Sequence, residues 1–183
     1  MKKFSVKTIV ATGIGAALFF VLGRFVAIPS GVPNTNISIQ YGVLAFIAAV
    51  YGPIAGLLSG LIGHFFIDFS YGWGVWWSWV ITSAFFGCAM GFATRKLTLE
   101  DGEFSKHDAI GFNVAQVIAN LVSWAVVAPV LDIVIYSEPA NLVFVQGLVS
   151  AGLNIVATAI VGTLLLFAYA AAKPKKGSLK KEK

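Results

Sequence analysis

Charge is scarce in this chain. Asp, Glu, Lys and Arg make up 11% of its 183 residues, against about 25% in soluble domains, while hydrophobic residues reach 58%. No stretch has the polar alternation of a separate soluble domain, so any catalytic or energising domain must lie on another polypeptide. There is one cysteine, Cys88, inside an apolar run. It cannot form an internal disulfide, and packing is its expected role. No pair of His or Cys clusters could hold a structural metal, and His64-x-x-x-Asp68 alone is a weak metal signal. A G-x-x-x-x-G-K-[ST] loop is missing, which excludes phosphate-loop nucleotide binding in this chain. No order of Ser, His and Asp compels a hydrolase. Nor do the two halves show the matching broken helices of secondary carriers.

What charge there is gathers in a few segments. Lys2, Lys3, Lys7, Arg95, Lys96, Lys106, Lys173, Lys175, Lys176, Lys180, Lys181 and Lys183 fall on one side of a series of apolar spans, leaving only Arg24 over. Short basic flanks stay cytoplasmic, so both termini and the loop 95–108 are expected inside. The net charge of +5 then reflects topology, and no nucleic-acid partner is expected. A basic start before an apolar run also suits a signal peptide. This run of about 20 residues is longer than the usual signal core and lacks a small-residue cleavage site, so it is taken as a first span.

The predicted fold is an all-α membrane protein. It is a single domain over residues 1–183 with tails at 1–7 and 173–183, built as a bundle of six transmembrane helices with both termini cytoplasmic. The spans run 8–28, 39–51, 53–69, 75–94, 109–135 and 142–172, with breaks at Gly52-Pro53 and a kink or end at Pro129. Apolar runs of these lengths exclude a membrane barrel.

Small residues recur at a spacing of four in the first span: Ala11 with Gly15, Thr12 with Ala16, Gly13 with Ala17. Such pairs let another helix approach closely, either within the bundle or on a partner. Gly87 with Gly91 could act likewise.

Polar groups are expensive inside a membrane, and here they gather toward the expected outer side. At 1.5 Å per residue, His64 lies about 16 Å and Asp68 about 22 Å along the third span, on one face, and Arg24 about 25 Å along the first. Arg24 can tie helices through Asp68 or Asp132, or face an anionic group on a ligand. Trp73, Trp76, Trp77 and Trp79 fall within seven positions. Each can anchor at the headgroup level, but Trp76 and Trp79 share a helical face on which a flat ligand could stack. Asn113, Gln116 and Asn120 form a polar stripe on the fifth span; Asn120, Asn154 in the sixth, and the loop residues Asn34, Thr35, Asn36 and Gln40 are placed for an outer ligand.

Gly23-Arg24-Phe25, Pro33-Asn34-Thr35-Asn36, the run Gly63 to Asp68 and Trp76-Trp77-Ser78-Trp79 resemble the S component of energy-coupling factor (ECF) transporters. The resemblance is to the riboflavin-type superfamily, especially its branch for large substrates including cobalamin. It implies a high-affinity vitamin-capture subunit in the bacterial plasma membrane. The first loop would act as lid, and the helix carrying Ala11, Thr12, Gly13, Gly15, Ala16 and Ala17 would dock on an EcfT-type coupling subunit driven by two ATPases. Gly15 departs from the family's usual Ala. The resemblance implies no cofactor in this chain, ATP and Mg being used by the partners. The expected ligand contacts are Arg24, Asn34, Thr35, Asn36, Gln40, His64, Asp68, Trp73, Trp76, Trp79, Asn120 and Asn154. Cobalamin is the favoured substrate, its amide-edged macrocycle suiting Trp and neutral amides and its phosphate suiting Arg24; the same inventory serves riboflavin or a thiamin precursor. A stand-alone carrier or channel and a small intramembrane enzyme are the competing classes.

Overall fold

The computed structural model describes residues 5–33, 35–72, 74–97 and 99–174. About 81% of the structure is helical, in six helices. They are α1 (Val6–Val26), α2 (Gln40–Tyr51), α3 (Pro53–Tyr71), α4 (Trp77–Ala93), α5 (Lys106–Tyr136) and α6 (Ala140–Ala171). Between α1 and α2 the chain forms a minimal antiparallel hairpin of β1 (Ile28–Pro29) and β2 (Asn36–Ile37), with Ile28 opposite Ile37 and Pro29 opposite Asn36.

Local chemistry sets the boundaries. Ser5 caps α1 by accepting the Thr8 N–H, and Ser105 and Asp108 form a reciprocal capping box that starts α5 before its first expected apolar residue. Gly52, at φ 90°, closes α2 and hands the chain to Pro53 in the first turn of α3, a conformation open to glycine and costly for other residues. Pro129 neither ends nor breaks α5. A wider π-type turn at Ser123–Val127 precedes it, and the helix continues to Tyr136. Proline lacks a backbone N–H, and a widened turn is a way for a helix to absorb that loss.

The bundle is tightest between α3 and α4. A Cβ on Gly56 or on Gly87 would collide with the backbone of the other, and a Cβ on Gly60 would meet the backbone of Ser83. Phe19, Leu44, Phe86, Met90, Phe112, Trp124 and Leu166 fill the interior. Outside, large apolar side chains such as Phe25, Ile110, Val134 and Leu164 stand exposed all round. An apolar coat of this extent fits hydrocarbon, not water. α1, α3, α5 and α6 are long and apolar enough to cross a membrane, while α2 and α4 are apolar but shorter.

Candidate functional site

At the Tyr71 end of α3 the helices diverge around a cavity of about 600 Å³, roofed by the hairpin and lined from all six helices. The roof is held by its own polar groups. The Ser30 N–H and hydroxyl both donate to the Thr35 carbonyl (3.1 and 2.8 Å), and the Thr35 N–H donates to the Val32 carbonyl (3.1 Å). Among the described residues, one long-range hydrogen bond ties the roof to α6: Gln146 Nε2 donates to the Pro33 carbonyl at 3.0 Å.

One wall is aromatic and clamped. Asp132 on α5, 1% exposed, accepts the indole N–H of Trp76 (2.6 Å) and of Trp79 (2.7 Å) and the hydroxyl of Ser78. Asp68 on α3 accepts the Trp76 backbone N–H at 2.9 Å. Two carboxylates therefore fix Trp76 from its backbone and from its ring, and the ring stacks on Tyr136 with centroids 4.2 Å apart. Both indole donors are engaged, so Trp76 and Trp79 offer a ligand only their π surfaces. Trp77 points elsewhere, against Phe65.

Deeper than Asp68 a polar line begins with a contact to His64 and continues through two hydrogen bonds. His64 Nε2 lies 3.6 Å from Asp68 Oδ1, its Nδ1 is 2.6 Å from Ser83 Oγ, and Ser83 Oγ is 3.1 Å from the Tyr41 hydroxyl. This line crosses from α3 through α4 to α2, so the side chains bordering the cavity are held by three helices at once.

Of the expected ligand contacts, Thr35, Asn36, Gln40, His64, Asp68, Trp76, Trp79 and Asn154 line the cavity. Asn34 and Trp73 lie outside the described residues. Arg24 is not among the lining residues. Its Nε donates to Ser70 Oγ at 3.1 Å and its guanidinium lies 4.1 Å from the centroid of the Tyr71 ring. In place of a tie to Arg24, Asp68 and Asp132 accept from Trp76, Ser78 and Trp79 at the start of α4. Asn120 is also absent from the cavity. It is fully buried within α5, donating to the Gln116 carbonyl and side chain and accepting from Trp124 Nε1, so its groups are satisfied by its own helix. Sequence reasoning overlooked Tyr41, Ser38, Gln146 and Ser150, and did not count Tyr71 and Glu138, an aromatic and a loop carboxylate at the same end, as ligand contacts; all six line the cavity. The spacing of four between Gln146, Ser150 and Asn154 was the available signal.

The small residues of α1 divide by face. Ala11, Thr12, Gly15 and Ala16 are buried inside the bundle, where a Cβ on Gly15 would press on Ser59 and Ile47. Those four pack helices of this chain, which corrects the expectation that they form an outer docking surface. Gly13 and Ala17 are exposed, and a Cβ on Gly13 would meet nothing within 4 Å.

Four helices long and apolar enough to cross a membrane, with two shorter apolar ones, surround a roofed, aromatic-walled cavity, the architecture of a membrane protein with room for a small molecule. The sequence matches the family model for the ECF-type riboflavin transporter, S component, over residues 3–171. A UPF0397 protein of Staphylococcus aureus strain MSSA476 is 56% identical over 184 residues, with the whole of both chains covered. UPF0397 proteins of strains Newman and MRSA252 are 55% and 56% identical over the same full length. The chain belongs to the ECF S-component family. It is a substrate-capture subunit of a transporter, a role that is not itself enzymatic.

Proposed function

We propose that this chain captures a flat, heteroaromatic vitamin of about riboflavin's size and delivers it to an EcfT-type subunit and two ATPases. On this reading six helices span the bacterial plasma membrane with both termini inside, and the hairpin is the outer lid. The observation that carries it is the roofed cavity of about 600 Å³ with its paired tryptophans. Sites of about 300–1,000 Å³ enclose drug-sized ligands, apolar walls supplying contact and a few polar groups orientation.

Cobalamin, the substrate favoured on the sequence, is less well served. Its macrocycle and nucleotide arm overfill this space unless the hairpin lifts from Gln146, and Arg24, expected at its phosphate, is engaged by Ser70 and Tyr71. Riboflavin and a thiamin precursor, the alternatives, are of the size class that a cavity of about 600 Å³ favours. Mass spectrometry of ligand released from the purified chain, followed by calorimetry with riboflavin, thiamin and cobalamin, tests the proposal. A released vitamin of the smaller class is expected; cobalamin would reverse the size argument, and an empty chain that binds none of the three would remove the capture role. Uptake by this chain alone under an ion gradient, without ATPase partners, would likewise sink the importer reading.

A further inference from the structure

We infer that the cavity selects a positively charged, flat nitrogen heterocycle, an inference that rests on the capture reading above. Carboxylates of Asp68, Asp132 and Glu138 border the cavity, and among the described lining residues there is no Lys or Arg. Asp132 is 1% exposed and Asp68 8%. Their hydrogen bonds come from indoles, a hydroxyl and a backbone amide; His64 is the titratable neighbour, at 3.6 Å from Asp68. Neutral donors orient a buried carboxylate without neutralising it, and a buried charge that lacks a counter-charge is costly. A ligand cation would supply that counter-charge in a space where the carboxylates are already shielded from water.

Two further features point the same way. The donors of Trp76 and Trp79 are taken by Asp132, leaving to a ligand only the ring faces turned away from Tyr136 and Trp124, whose electrostatics favour a cation. Independently, Asn154 (4% exposed) and Ser150 (5%) lie one turn apart on α6 and line the cavity, and among the described residues neither side chain has a hydrogen-bond partner. Buried polar groups are normally satisfied. An amide and a hydroxyl left open into a cavity fit a ligand edge with both acceptor and donor, such as a ring nitrogen beside an exocyclic amine.

The test is calorimetry on the full chain in lipid nanodiscs with three probes: thiamin, a cation; thiochrome, its neutral fused-ring counterpart; and riboflavin, neutral. Thiamin is expected to bind about tenfold tighter than either neutral probe. Glu138→Gln, a change at the half-buried rim, should narrow that gap several-fold, and Asn154→Leu should weaken thiamin and thiochrome alike. Thiochrome or riboflavin binding as tightly as thiamin, thiamin failing to bind, or a gap untouched by Glu138→Gln would each overturn the inference. Riboflavin or cobalamin binding without thiamin would leave the capture reading intact; a chain that releases no ligand and binds none of these vitamins would end both.

Discussion

The same pair of helices, α3 and α4, builds a closed clasp at one end and borders an open cavity at the other. Toward Pro53 they touch backbone to backbone at Gly56 and Gly87, and a Cβ on Gly91 would strike Pro53. Toward Tyr71 they part around His64, Asp68, Trp76 and Trp79 and enclose the cavity. Residue size accounts for the difference. Glycines remove the side-chain layer and let dispersion contacts hold the helices where no hydrophobic force separates protein from lipid. Large aromatic and ionisable residues at the other end force a gap, and hydrogen bonds across it replace close packing. The helix pair is thus registered by backbone contact at one end and by polar groups around the cavity at the other.

The largest effect should come from breaking the clasp. Gly87→Val places a branched side chain against the backbone of Gly56, and overpacking costs about 1–3 kcal/mol, with backbone on backbone at the upper end. The variant should lose its cooperative melt in detergent and its ligand together. A normal melting temperature would show that α3 and α4 are held chiefly at the cavity end.

Next in size is the aromatic wall. Asp132→Asn keeps the shape but gives the indoles one acceptor oxygen and one amide that donates, so one of Trp76 and Trp79 loses its partner. An unsatisfied buried donor costs about 1–3 kcal/mol. Affinity should fall about tenfold with the fold retained, and the near-ultraviolet circular dichroism of the tryptophans should change. Unchanged dichroism would mean that stacking on Tyr136, not the carboxylate, fixes the wall.

Much of this architecture was legible because membrane helices write themselves as apolar runs. The boundaries at Gly52-Pro53 and the span of α3 follow from proline geometry and length alone. Depth along α3 also put Asp68 level with the start of α4, where it accepts the Trp76 N–H. Rotation was the part that linear spacing left open: Ala11 with Gly15 and Gly13 with Ala17 have the same spacing, and only the positions of α2 and α3 decide which pair is buried. Partner choice was equally hidden. An arginine and two carboxylates at one depth suggest an ion pair, whereas Asp132 accepts indoles brought to it by the start of α4.

The two faces of α1 repeat the contrast between closed and open surfaces, and they sharpen it at intermediate cost. Gly15→Leu would drive a side chain into Ser59 and Ile47 and should reduce stability and binding together. Gly13→Leu projects into open space and should leave melting and ligand affinity unchanged while weakening transport and copurification with the coupling subunit, if that exposed stripe is where the subunit docks. Full transport by Gly13→Leu would move the docking surface off this helix.

The smallest effect is expected at the roof. Gln146→Leu removes one neutral hydrogen bond, from Nε2 to the Pro33 carbonyl, worth about 1 kcal/mol. The bundle does not depend on that bond, because the hairpin keeps its ladder between Ile28 and Ile37 and its own Ser30 to Thr35 bonds. Melting should therefore stay within experimental scatter of the parent. Amides of the hairpin should exchange about fivefold faster without ligand, and the ligand's off-rate should rise by a similar factor, since opening of the roof is what the lost bond opposes. Exchange in the hairpin identical to the parent, with and without ligand, would show that the roof is fixed by the strands themselves and that the open end of the bundle is as rigid as the clasped one.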